Sequence, residues 1–239
     1  MTDSLKKIID SFPLGFVFTS NDFHMLVENP KKINKVLNDF VSQDYLRKIS
    51  KGRFYKPHIG KCGESLPDIY QTVKDLLVRN GKMIGYLTGY AIFNDLMLTT
   101  QAPTILQIGM HKEKRAIVRS NYRIHFFKQE NSITKSTIPL LRLLDCLRFF
   151  KIIPDITPDS ACQRIICLLK SLDEQQITKI KRLALNYTPQ AIALLGAMLE
   201  TINPADDTDS LYKKLNQLTV YKLYISKNYL PTQKKWNIR

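Results

Sequence analysis

The sequence predicts an α+β chain in two parts, a compact basic module at the N-terminus and a larger body that passes from mixed α/β to helical. Three observations carry this. Three helical patterns and a hairpin signal fill the first sixty residues; two β-rich runs, Thr104–Gly109 and Tyr122–Lys128, flank a charged connection; and from Ser136 onward apolar rows recur at helical spacing between prolines. The boundaries drawn from these patterns are residues 1–60 and 61–239, with the second part mixed to about residue 130 and helical after it.

The N-terminal elements follow in order. Ser4–Phe12 is an amphipathic helix with Leu5, Ile8, Ile9 and Phe12 on one face, closed by Pro13. Phe16-Val17-Phe18 is a short strand-like run. Thr19 or Ser20 then caps a second helix, Asn21–Val27, with Asp22 in its first turn. Asn29 is a favoured N-cap and Pro30 a favoured first helical residue, so a third helix starts there. Over Lys31–Gln43 the apolar residues Ile33, Val36, Leu37, Phe40 and Val41 fall at i, i+3, i+4, i+7 and i+8, which makes one buried stripe. Tyr45–Ile49 and Arg53–Pro57, joined by Ser50-Lys51-Gly52, read as a hairpin. Helix, strand, helix, tight turn, helix and basic hairpin is the element order of a winged helix-turn-helix.

In the body, Pro67–Arg79 reads as a helix closed by Asn80-Gly81 in left-handed cap conformation, and Thr88–Leu96 as another. The two β-rich runs are placed to pair across His111–Arg119. Five helical rows follow, Ile138–Ile152, Ala161–Leu172, Ile177–Tyr187, Ala191–Ile202 and Leu211–Leu218, separated by Pro154, Pro158, Pro189 and Pro204.

A formal charge of +15 and a pI near 9.6 suit a protein that meets a polyanion. The face opposite the third helix's apolar stripe carries Lys31, Lys35, Asn38 and Ser42, flanked by Lys32 and Asn34, with Asp39 as the lone acid. In a DNA reading, Lys31, Lys35 and Asn34 or Asn38 project from the first half of the helix, the part that reaches base edges in the major groove. Arg47, Lys48, Lys51, Arg53 and Lys56 lie along the wing on phosphate, with no acid among them in sequence. Lys112, Lys114, Arg115 and Arg119 extend this footprint, and so does the run from Lys213 through Lys214, Lys222, Lys227, Lys234 and Lys235 to Arg239. The bland reading of all these cations is a solvated face. Tyr221, Tyr224, Tyr229 and Trp236 read as packing anchors.

Enzyme signatures are missing: Gly-x-Gly-x-x-Gly, Gly-x-x-x-x-Gly-Lys-Ser/Thr, His-Glu-x-x-His and Gly-x-Ser-x-Gly do not occur. The histidines His24, His58, His111 and His125 lack ligand spacing, and Cys62, Cys146, Cys162 and Cys167 lack a Cys-x-x-Cys pair and read as core residues. Asp206-Asp207-Thr208-Asp209-Ser210 reads as a helix start. The expectation is a non-enzymatic protein without metal or cofactor. No run approaches a membrane span and Met1–Asp10 lacks the plan of a signal peptide, so the cytoplasm is the expected compartment.

The block "GYLTGYAIFNDLMLTTQAPTILQIG" (Gly85–Gly109), after "RKISKGRFYKP" (Arg47–Pro57) and before "KKWNI" (Lys234–Ile238), resembles the type IV abortive-infection antitoxins, the AbiEi-like group. Met97 departs from the pattern, standing where a small residue or glycine is expected. The resemblance implies a two-domain repressor whose N-terminal domain binds inverted repeats of double-stranded DNA in its own promoter; inverted sites mirror two-fold pairing, so binding is expected as a homodimer or cooperatively. It also implies a C-terminal domain that opposes a nucleotidyltransferase toxin, for which direct contact is not required. The rival reading is a protein-interaction module or general transcription regulator with DNA contact secondary.

Overall fold

A computed structural model describes residues 2–23, 25, 29–60 and 63–239. The chain forms two compact units, residues 1–76 with 117–122, and residues 77–116 with 123–239. The expected boundary after residue 60 falls inside the first of these. Together they are an α+β chain of helices and small sheets. Among the described residues no helix is long and apolar enough to cross a membrane.

The first unit begins with α1 (Thr2–Ser11), which buries Leu5 and Ile9, and the 3-10 turn Ser20–Phe23. The expected helix over Asn21–Val27 is this tight turn instead, with residues 24 and 26–28 outside the described residues. The local cause is the Asp22 carboxylate, which accepts both the Thr19 N–H (2.7 Å) and the Thr19 hydroxyl (3.0 Å) and so closes the chain on itself.

Next, α2 (Pro30–Ser42) starts as the sequence indicates, with the Asn29 side chain accepting the Lys31 N–H at 3.0 Å and Pro30 in the first position. Of its stripe Ile33, Leu37 and Phe40 are buried, and Val36 and Val41 pack at the margin. The hairpin β1 (Arg47–Ser50) and β2 (Arg53–Tyr55) turns through Lys51 and Gly52, and Gly52 sits at φ 73°. The Phe16–Phe18 run contributes a single bridge, Phe18 to Phe54, with both backbone bonds at 2.9 Å. A core of Leu5, Ile9, Phe18, Phe23, Ile33, Leu37, Phe40, Leu46 and Phe54 results. A second ribbon, β3 (His58–Gly60) with β4 (Gly63–Ser65), and α3 (Ile69–Leu77) follow.

The second unit opens with β5 (Val78–Arg79) and β6 (Lys82–Met83). Asn80 (φ 50°) and Gly81 (φ 73°) form the two-residue turn between them rather than the expected helix cap, because two successive positive φ values suit a type I′ hairpin. From here β7 (Gly85–Thr88), α4 (Tyr90–Asp95) and β8 (Ile105–Met110) lead to β9 (Ile117–Arg119), which belongs with the first unit, and then to β10 (Tyr122–Lys128). β7 pairs antiparallel with β8. β8 and β10 pair as anticipated but in parallel, Ile105 opposite Arg123, so the charged connection is a crossover rather than a hairpin loop.

The end of α4 explains Met97. The Leu98 N–H reaches the Phe93 carbonyl (2.7 Å) and the Met97 N–H the Asn94 carbonyl (2.9 Å), the paired bonds of a Schellman ending. That motif needs a left-handed residue where Met97 stands at φ 56°, its side chain largely exposed.

Helices α5 (Ile138–Arg148), α6 (Pro158–Lys170), α7 (Glu174–Ala184), α8 (Pro189–Ile202) and α9 (Asp209–Lys213) make the body. The expected helix over Leu211–Leu218 stops at Lys213, because the Asn216 side chain takes the Leu218 N–H (2.9 Å) and turns the chain. α8 is apolar all round, with Ala191 through Glu200 buried, as befits a helix enclosed by others. The C-terminal stretch packs on it. Trp236 is 1% exposed, and its ring lies where a Cβ on Gly196 would come within 2.0 Å. Glu200 fixes this arrangement by accepting the Trp236 indole N–H (3.0 Å), the Thr208 hydroxyl (2.6 Å) and the Lys235 ammonium (2.6 Å).

Two outcomes follow. Gly196→Ala should destabilise the second unit by about 3 kcal/mol through overpacking, read as a lower denaturation midpoint in the fluorescence of Trp236, the chain's single tryptophan; an unchanged midpoint contradicts the packing. Met97→Gly should raise stability by about 1 kcal/mol by relieving the left-handed backbone, measured by urea titration.

Candidate nucleic-acid interface

The structure divides the sequence-predicted cations into two sets. Lys31, Lys32 and Lys35 stand exposed on α2, and Lys51 at the hairpin tip; none of their ammonium groups forms a hydrogen bond or ion pair among the described residues. Lys48 is exposed as well and donates to the Asn38 side chain at 3.1 Å, with its ammonium 5.8 Å from the Phe54 ring centre. Asn38 in turn donates to the Asn34 carbonyl (2.6 Å), and Asn34 to the Ser20 hydroxyl (3.0 Å). These bonds link the 3-10 turn, the outer face of α2 and β1. Ser42 is bonded back to the Asp39 carbonyl (2.7 Å).

The other set has acids for partners, against the expectation of a wing without them. Arg47 lies between Asp44 (2.9 Å) and Glu64 (3.1 Å), Arg53 meets Asp75 (2.5 Å), and Lys56 pairs with Asp10 while covering the Tyr45 ring. The acids come from α1, the α2–β1 corner, β4 and α3, so a linear reading of the hairpin alone misses them. Burial and the Asp10 carboxylate push the Tyr45 phenol up, and the Lys56 and Tyr45 bonds hold Asp10 below the ordinary carboxylate range.

Arg119 is corrected most firmly. It is 6% exposed, donates to the Thr72 carbonyl (3.1 Å) and grips Asp75 with both terminal nitrogens at 2.5 and 3.0 Å. A guanidinium so enclosed is not available to phosphate. Lys112, Lys114 and Arg115 are exposed and lie in the second unit. Of the C-terminal cations, Lys235 is bound to Glu200 and Lys213 lies 3.8 Å from Asp209, while Lys214, Lys222, Lys227 and Lys234 are exposed. Trp236 and Tyr221 are packed as expected, but Tyr224 and Tyr229 are 76% and 37% exposed.

The acidic group opens α9 as expected, with the Asp207 side chain accepting the Asp209 N–H (3.1 Å), while Asp206 binds Lys181 and the Thr208 hydroxyl goes to Glu200. Cys146 and Cys162 are buried, Cys167 is exposed, and Cys62 and His24 lie outside the described residues. Burial raises the Cys162 thiol to about 12, which leaves it an inert small hydrophobe. Among the described residues no group of three or more His, Cys, Asp or Glu is placed to hold a metal.

Sequence reasoning passed over one polar cluster in the second unit. Asp145, buried on α5, accepts the hydroxyls of Thr88 (2.7 Å), Tyr86 (2.8 Å) and Tyr187 (3.1 Å), and the Gln129 amide donates to both tyrosine oxygens at 2.8 Å. Burial raises the Asp145 carboxyl above its ordinary value, and the three hydroxyls and the Arg148 charge oppose that rise. Its only signal in sequence is an acid inside an apolar helical row.

Residues 4–177 match the DUF6088 family, described as a family of unknown function. The chain belongs to this family. The fold of this DUF6088 member is similar to that of the RV2827C protein from Mycobacterium tuberculosis, a crystal structure with a TM-score of 0.60 at 12% identity, over 93% of this chain and 84% of that one. No curated protein matches the sequence.

A test of the Asp75 junction follows from its charge. Burial pushes this carboxyl up, but the bonds and charges of Arg119 and Arg53 outweigh burial and hold it below the ordinary value. A depressed carboxylate contributes stability above its unfolded pKa of about 3.9 and loses it as pH falls through the lower folded value. Asp75→Asn should cost about 2 kcal/mol near neutral pH, less than a fully buried pair because Asp75 is 33% exposed, and should flatten the acid limb below about pH 4. Circular dichroism across pH reads both effects, and parallel acid limbs in the two proteins overturn the assignment.

Proposed function

We propose that residues 1–76 with 117–122 act as a winged helix-turn-helix that binds double-stranded DNA, with α2 as the recognition helix and the β1–β2 hairpin as the wing. The observation that supports it is the Lys48–Asn38 bond, which joins the hairpin to the outer face of α2 beside the unpaired Lys31, Lys32, Lys35 and Lys51. Unpaired ammonium groups on a helix and an adjoining wing form the electrostatic footprint of a duplex reader, whereas the paired arginines hold the scaffold. Joined with the AbiEi-like resemblance of Gly85–Gly109, this makes the protein an antitoxin that represses its own operon and counteracts a nucleotidyltransferase toxin.

The test is a titration of labelled duplex DNA from upstream of the gene. Affinity should exceed that for a scrambled duplex by about 10³-fold or more at physiological salt, and equal affinities overturn specific repression. Lys51→Ala should lower the salt slope by about one unit for all sequences, while Lys31→Ala with Lys35→Ala should also relax base preference. Arg53→Ala should change stability far more than the slope, given its bond to Asp75.

A further inference from the structure

Asp145 and Arg148 are neighbours at i and i+3 on α5, the spacing of a helical ion pair, yet no such pair forms. Asp145 is supplied with three hydroxyl hydrogens instead, from Tyr86, Thr88 and Tyr187. Arg148 lies over the rings of Phe127 and Phe149, 5.4 Å from each centre, and has no hydrogen bond or ion pair among the described residues. A cation–π position over two rings uses none of the guanidinium N–H groups as hydrogen-bond donors, so they stay available to a ligand.

Arg148 lines an open cavity of about 270 Å³ together with Lys128, Gln129, Asn186, Tyr187 and Thr188. Glu130, on the same wall, is already held by Lys128 at 2.7 Å, which leaves Arg148 as the charged side chain of the lining without an ion-pair contact among the described residues. The Thr188 hydroxyl precedes α8 without capping it and is exposed, a further donor with no duty in the fold. Gln129 and Tyr187 are committed to the Asp145 network and make the cavity floor rigid.

We propose that this cavity binds a small oxyanion, a phosphate or carboxylate group, with Arg148 as its bidentate partner and Thr188 as an added donor. The planar fork of arginine matches two oxygens of either group, and the Arg148 guanidinium lies over two aromatic rings beside the cavity. The open cavity has room for the anion and for part of a molecule that carries it. The assignment is independent of the DNA reading, because every residue in it belongs to the second unit.

Calorimetric titration of the full chain with inorganic phosphate and, separately, succinate tests it, each at constant ionic strength against chloride. Saturable binding of either with a Kd on the order of 1 mM is expected, and whichever binds identifies the oxyanion. Arg148→Gln should weaken it about tenfold or more and Arg148→Lys by a smaller factor, with Trp236 fluorescence reporting that each variant is folded. Should Arg148→Gln not fold, the Arg148→Lys comparison decides alone. Lys31→Ala with Lys35→Ala should leave the titration unchanged. Binding no better than chloride, binding indifferent to Arg148, or binding lost with Lys31 and Lys35 overturns the proposal.

Discussion

The Asp75 carboxylate is the junction on which the first unit depends. This unit is assembled from two stretches of chain, and Asp75 on α3 holds Arg53 from the hairpin and Arg119 from the returning stretch at once. A buried arginine facing no anion would cost several kcal/mol, so the hairpin, α3 and residues 117–122 are obliged to stay together. The same carboxylate leaves Lys51 as the unpaired cation of the hairpin tip. Paired arginines build the support and unpaired lysines line the surface, a division that also suits their chemistry, since arginine forks fit carboxylates and lysine offers a mobile point charge.

Legibility in the sequence followed the range of the interactions. α2 was readable to within a residue because its signals are local: Asn29 and Pro30 at the start, and Ile33, Leu37 and Phe40 at helical spacing. Asn80-Gly81 was readable as a left-handed pair but not as a hairpin, since a two-residue strand on either side carries too little pattern to outweigh the helix before it. The parallel pairing of β8 with β10 was out of reach for a different reason. Strand periodicity reports which face is buried and not which direction the neighbour runs.

The candidate interface shows the same limit. That Lys31 and Lys35 face outward follows from 100° steps around a helix, whereas the pairing of Arg47 with Glu64 and of Arg119 with Asp75 joins residues 17 and 44 positions apart. A charge count along the hairpin therefore overstates its field. Asp145 makes the complementary point: an acid in an apolar row looks like a flaw until three hydroxyls from distant residues are seen around it.

The excursion of the chain between β8 and β10 bears on how such a protein can be divided or recombined. Residues 117–122 complete the first unit although they are encoded after some forty residues of the second. A fragment cut at residue 76 would carry α2 and the hairpin but lack the buried arginine that Asp75 grips, and the remainder would carry that arginine with no acid to receive it. The two units are thus interlaced in the gene even where each is compact in space, so neither can be lost, duplicated or exchanged by a single cut.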